Sequence, residues 1–330
     1  MILRLFALCF GLGLTQLIPT GHLHAQDANI QLTPRARRCA TEIPSAFRIE
    51  VNEILAGRFR AANAMLDERQ VPLTIVVQFI HIVDGNNGKV TADQRKKQIQ
   101  VLNDAYQTTN VKFDYDENST IVKDNATWFQ MGHGTPAERA AKEALHKDPK
   151  KFLNFYTCAP PGGLLGWATF PWDLGSKPEL DGVVLAFDTL PDGAASRFNE
   201  GDTGTHEVGH WCGLYHTFQD ACTMENDRIA DTLSHAIQFG TPNHVQTNNA
   251  VCQDQRLTAP FDDSEKAQLD NIAKNFMNYV DDNWMDRFTP DQVTRIKQMI
   301  MVYRSELFLT GPNPAASSNQ LPFNKIQMLP

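Results

Sequence analysis

The chain has 330 residues, 42 % of them hydrophobic, enough to bury one large core or two ordinary ones. Lysine and arginine number 30 against 38 acidic residues, and the formal charge of −8 argues against a broad electrostatic nucleic-acid binder. Ordinary counts of Gly (20) and Pro (18) exclude collagen-like or wholly disordered chains, and six cysteines are too few for a disulfide-dense scaffold.

The first 25 residues have the layout of a secretory signal: a basic start ending at Arg4, an apolar run over 5–14, then a polar stretch ending at Ala25. The apolar run is shorter than the ~20 residues a membrane span needs. The expectation is a secreted, extracellular protein without a membrane partner. Residues 26–70 read as an N-terminal extension, with Arg35, Arg37 and Arg38 leading into Cys39 and patchy helical periodicity over 45–66. Pro72 then precedes a strand rich in Val, Ile and Phe, Leu73–Val83, apolar on both faces as a covered strand is. Thr91 and Gln94 form a capping box opening a helix that carries Ile99, Leu102 and Tyr106. Further strands are expected at 111–115, 152–156, 165–170 and 183–187, with a helix over 137–146. This alternation implies a mixed sheet with helices packed on it. Residues 219–271 are polar, loop-rich and without periodicity. Thr289-Pro290 opens a last helix with Val293, Ile296 and Ile300 on its inner stripe. Residues 311–330 read as a loose tail.

One stretch dominates the chemistry: His206-Glu207-Val208-Gly209-His210-Trp211-Cys212-Gly213-Leu214-Tyr215-His216. His206 and His210 are four apart, so on a helix near 203–213 both imidazoles reach one zinc ion. Glu207 can reach a water at the metal without ligating it. Gly213 lets the chain leave the helix and bring His216 round as third ligand. Three protein ligands leave one position open, the plan of a catalytic rather than a structural zinc site. Five fixed positions over eleven residues arise by chance in on the order of one in 10⁵ chains of this length. Downstream, Asn275-Phe276-Met277-Asn278-Tyr279 supplies a Met and a Tyr that would otherwise read as simple core.

Together these two pieces resemble the metzincin peptidases, with Met277 in the methionine turn near 275–279 beneath the metal and Tyr279 beside its open position. The resemblance narrows to the pappalysin-like family, of the cytophagalysin and fungal extracellular metalloprotease type, over roughly 72–308. It is carried by Gly163 through Trp172, Leu180 through Val184, Thr205 through Phe218, Asn278 through Asp282, and Phe288 through Gln292. It implies an α+β, metzincin-type catalytic domain over 71–310. Its upper subdomain would have a twisted mixed sheet of about five strands and two long helices. A smaller, irregular lower subdomain would hold the methionine turn and the C-terminal helix. It also implies that the strand from Leu165 to Phe170 edges the cleft and pairs with an extended peptide substrate.

After the signal is removed five cysteines remain, so at least one is free, metal-bound or intermolecular. Relatives often carry cysteines where Thr241 and Trp284 stand here, and by that resemblance Cys222 and Cys252 are left as the disulfide. Cys212 is read as a buried free thiol. Cys39 sits in the expected pro-segment, where its thiolate could fill the open zinc position as a latency switch; a bridge to Cys158 or an unpaired thiol are the plainer alternatives. Glu225, Asp227, Asp231 and Thr232 offer oxygen ligands for calcium, with a solvated acidic loop as the equal alternative. Asp281 and Asp282 are read as lining the pocket after the cut and favouring a basic side chain.

The expected activity is that of a secreted zinc endopeptidase, monomeric, with Glu207 as general base and Tyr279 at the oxyanion. A catalytically silent zinc protein using the same cleft for binding, and a zinc hydrolase of non-peptide amides, are the competing classes.

Overall fold

The longest apolar run of the sequence becomes the central strand of the sheet. The structure, a computed structural model, describes residues 39–41, 72–223, 226–236 and 243–307. The signal, the 45–66 periodicity, Glu225 and the 311–330 tail lie outside the described residues.

Six strands form one sheet: β1 (Leu73–Val83), β2 (Val111–Tyr115), β3 (Ile121–Asp124), β4 (Phe152–Cys158), β5 (Gly166–Ala168) and β6 (Val183–Ala186). The order is β2-β1-β4-β6-β5, with β3 extending the β2 side of β1. All pairings are parallel except β5 with β6, where Gly166 faces Leu185 and Ala168 faces Val183. The expected mixed sheet is therefore present, with one strand more than read. β3 is four residues long and mostly exposed, so it shows neither alternation nor a buried run.

Side-chain parity explains why β1 is apolar on both faces. Ile75, Val77 and Phe79 join Leu153, Phe155, Val183 and Leu185 in one core. Ile80, Ile82, Tyr156, Cys158, Trp167 and Val184 belong to a second core on the opposite face. The first is covered by Ile99 and Leu102 of α1 (Ala92–Ala105) with Tyr106 at its C-cap, by Val208 and Trp211 of α4 (Asp202–Trp211), and by Ile296 and Ile300 of α7 (Pro290–Tyr303). The second is covered around α2 (Ala126–Phe129) and α3 (Pro136–Leu145), through Phe129, Met131 and Ala141. The cap residues act as their types dictate. Thr91 and Thr289 each make a full capping box with a Gln at the third helical position, and Pro136 and Pro290 occupy first turns.

The stretch read as loops contains two helices, α5 (His244–Ala250) and α6 (Asp263–Ala273). Only Thr247 and Asn248 of α5 are buried, so no apolar stripe announced it. The Cys222–Cys252 disulfide is formed, with Cα atoms 5.5 Å apart. Cys39, Cys158 and Cys212 are reduced, and the last two are buried, which excludes a Cys39–Cys158 bridge. No helix among the described residues is long and apolar enough to cross a membrane.

Candidate metal centre

Helix α4 is buried along its whole length, which is unusual for ten residues containing Asp, Glu, two His, two Thr and two Gly. Its two ends are held by groups from far along the chain. At the N-terminus the Asp282 carboxylate accepts hydrogen bonds from the Glu200 and Asp202 amides at 3.0 and 3.3 Å, placing negative charge on the positive end of the helix. At the C-terminus Arg304 donates from Nε to the Trp211 carbonyl while its fork engages both oxygens of Asp181. Trp211 Nε1 also donates to Asp181, so this buried pair is hydrogen-bonded on every side described. Gly213, with φ of 92°, then turns the chain away, and Arg295 Nε holds its carbonyl at 2.8 Å.

Two glycines of the motif are required by close approach. A Cβ on Gly209 would lie 2.4 Å from the sulfur of Met277, and one on Gly213 would lie 2.6 Å from Cγ of Met299. Met277 is fully buried against the helix, and its carbonyl accepts from the Thr217 amide, tying the turn to the His216 segment. Asn275 and Asn278 hold that turn by bonding to the amides of Met277 and Tyr279.

The imidazoles converge. His206 Nδ1 bonds to the Phe276 carbonyl and His210 Nδ1 to the Leu214 carbonyl, both at 2.7 Å. A carbonyl accepts only, so each Nδ1 carries the hydrogen and each Nε2 is left with its lone pair. His210 Nε2 and His216 Nε2 face each other at 3.1 Å. Burial pushes His210 down to about 4 and His216 well below its usual range, so both rings are in the neutral, ligating form at neutral pH. The ligand atoms of His206, His210, His216 and Cys39 all lie within 4.8 Å of one another, the one such grouping among the described residues. Three neutral imidazoles and a sulfur around one point fit a tetrahedral zinc ion.

Cys39 arrives on a short segment that lies along β5. Cys39 forms a parallel bridge with Gly166, and the Ala40 amide donates to the Gly166 carbonyl at 3.0 Å. The Tyr279 hydroxyl accepts from the Cys39 amide at 2.9 Å and contacts its carbonyl at 3.3 Å. Cys39 Sγ lies 3.3 Å from Glu207 Oε2. Thr41, which sequence reasoning did not single out, sits between the edge strand and Glu207. Gly166 was missed as well: a Cβ there would come within 2.9 Å of the Glu207 side chain. A glycine inside a strand pattern was the available signal for such an approach.

Other sequence expectations meet different partners. Asp281 makes a two-pronged ion pair with Arg197 at 2.6 and 2.7 Å, and Asp282 caps α4 as described, so both acidic groups serve the fold where a substrate pocket was read. In the acidic loop, Asp227 accepts from Thr232 Oγ1 and the Ile229 amide. Asp231 accepts from Thr289 Oγ1 and the Asp291 amide, at the start of α7.

Comparison with known proteins agrees with this geometry. The family model described as Pregnancy-associated plasma protein-A matches residues 140–301. An extracellular metalloprotease of Pyricularia oryzae is 35 % identical over 276 residues, spanning 81 % of this chain and 90 % of its own. Another, of Verticillium alfalfae, is 33 % identical over 311 residues, 91 % of this chain and 100 % of its own. Among solved structures, promirolysin of Tannerella forsythia superposes with a TM-score of 0.63 at 22 % identity, covering 83 % of this chain and 98 % of that one. Mature mirolysin of the same organism, in complex with a cleaved peptide, gives 0.60 at 24 %, covering 74 % and 100 %. At those identities the two structures speak for the fold. The chain belongs to the pappalysin-like family of metzincins and is a zinc metalloendopeptidase.

Proposed function

We propose that the chain is a secreted endopeptidase held latent by its own N-terminal segment. The observation that carries this reading is the convergence of His206, His210, His216 and Cys39 on one point, with Glu207 and Tyr279 at its rim. The three histidines would hold zinc, which lowers the pKa of water and polarises a carbonyl. Glu207 takes the proton of the attacking water and passes it to the leaving amine. The Tyr279 hydroxyl donates to the oxygen on which charge develops. Met277 supplies an apolar floor beneath the ligands. The β5 edge offers backbone groups to an extended peptide. Export is supported by relatives named extracellular metalloproteases and by the signal-like first 25 residues.

Latency follows from what the segment 39–41 occupies. The Cys39 sulfur stands where the fourth ligand would be, its backbone engages the Tyr279 hydroxyl, and Ala40 uses a rung of β5. The ligand position, the oxyanion donor and the substrate edge are thus filled at once. Cutting the chain between Thr41 and Leu73 would free them.

A mixed peptide library tests the reading. Full-length wild type and Cys39→Ala are incubated with it, with and without a zinc chelator, and cuts are mapped by mass spectrometry. Chelator-sensitive internal cuts by Cys39→Ala, with little from the intact wild type, are expected. No cuts by either, at one zinc per chain, would support a silent binding protein. Activity confined to acylated side-chain amides would support the non-peptide hydrolase.

A further inference from the structure

The geometry points to a hydroxyl-binding subsite between the edge strand and Glu207, filled in this chain by Thr41. The inference rests on the latency reading above and adds a second, separately testable latch to it. The Thr41 Oγ1 accepts a hydrogen bond from the Ala168 amide at 2.9 Å and donates to Glu207 Oε2 at 3.2 Å. Cys39 Sγ lies 3.0 Å from Thr41 Oγ1 and 3.3 Å from Glu207 Oε2. Thr41, Ala168 and Glu207 are all buried. Successive residues of an extended segment face opposite ways, and here Ala40 packs against the Trp167 core while Cys39 and Thr41 turn toward the catalytic side.

The subsite selects by chemistry. It pairs a buried donor, the Ala168 N–H, with a buried acceptor, a carboxylate oxygen of Glu207. A hydroxyl is the small side-chain group that both accepts and donates. Valine has the shape of threonine but does neither, leaving the amide and the carboxylate facing a methyl group. Aspartate would set a second carboxylate against Glu207. The class of ligand is therefore a peptide running parallel to β5 with a metal-binding thiol and, two residues on, a side-chain hydroxyl. The thiol takes the metal position and the hydroxyl takes the base, so Glu207 is occupied independently of the metal.

The test uses zinc-loaded, full-length chains: wild type, Thr41→Val, Thr41→Ser and Cys39→Ala. Two quantities are read on intact protein: hydrolysis of a fluorogenic peptide and the rate at which a maleimide labels Cys39, with buried Cys158 and Cys212 as slow internal references. Thr41→Val should raise both by about tenfold or more, the loss of a hydrogen bond to a charged group and of a buried donor's partner. Thr41→Ser should stay within about twofold of wild type. A Thr41→Val chain that is silent and labelled at the wild-type rate overturns the subsite, as does equal release by Val and Ser. A silent Cys39→Ala chain would instead overturn the latency reading, and the labelling rate would still decide the subsite. In the Cys39→Ala/Thr41→Val chain, added acetyl-Arg-Cys-Ala-Thr amide should inhibit about tenfold better than the same peptide ending in Val; equal inhibition also counts against the subsite.

Discussion

The sheet half of the molecule, up to the end of α4, and the irregular half after it are held together by different physics. In the first, strands and helices bury apolar faces at period two or three to four, as in β1 and α1. In the second, side chains bond to backbone. Asn275 and Asn278 shape the methionine turn, Asn248 bonds both the amide and the carbonyl of Leu257, and Asp231 holds the start of α7. The metal centre lies on the seam. His206, His210 and Glu207, the proposed ligands and base, come from a buried helix, while His216 and Tyr279 come from turns that need Gly213, Met277 and these asparagines. Apolar burial places the helix, and local hydrogen bonds aim the loops at it.

The largest expected effect separates the halves. The Cys222–Cys252 bridge closes a 30-residue stretch of the irregular half. Replacing both cysteines with serine should cost about 3 kcal/mol in denaturant unfolding. Protease nicking should rise within that half while the sheet half stays protected. Unchanged stability with unchanged nicking would mean that the side-chain bonds alone hold it. Next is the seam. Gly209→Ala drives a Cβ toward the Met277 sulfur and should cost about 1–3 kcal/mol. It should also weaken zinc retention in a chelator competition, because helix and floor must move apart. Wild-type retention would show that the floor does not position the ligands.

The smallest effect is electrostatic. Burial pushes the Asp227 carboxyl from 3.8 up to about 7. Between those values the folded state binds the proton more tightly than the unfolded state, so this group's contribution to stability falls as pH rises. Asp227→Asn should flatten that fall in thermal unfolding measured from pH 4 to 8. Superimposable profiles for the two proteins would contradict the assignment.

The sheet half was legible because burial leaves a period. β1 was read at its observed ends, and Thr91, Thr289 and Pro290 marked helix starts as capping chemistry requires. The convergence of the three histidines was legible because the spacing of His206 and His210 is fixed by helix geometry and Gly213 turns His216 back toward them. What stayed hidden lacks a local pattern. β3 is exposed, α5 has no apolar stripe, and Asp282 looked like a pocket carboxylate until its cap on α4, 80 residues back, was seen. Gly166 and Thr41 act on Glu207 across the cleft, a relation that the sequence near the histidines does not carry.

The central claim is that a metal held by three histidines works with Glu207 as the base. Glu207→Gln, in the Cys39→Ala/Thr41→Val chain so that both contacts of the segment are removed, tests it most directly through bound zinc and peptide cleavage measured on one preparation. The account predicts one zinc per chain, as in the parent, with cleavage lowered by about 10²–10⁴-fold. Cleavage at the parental rate with zinc bound would contradict it.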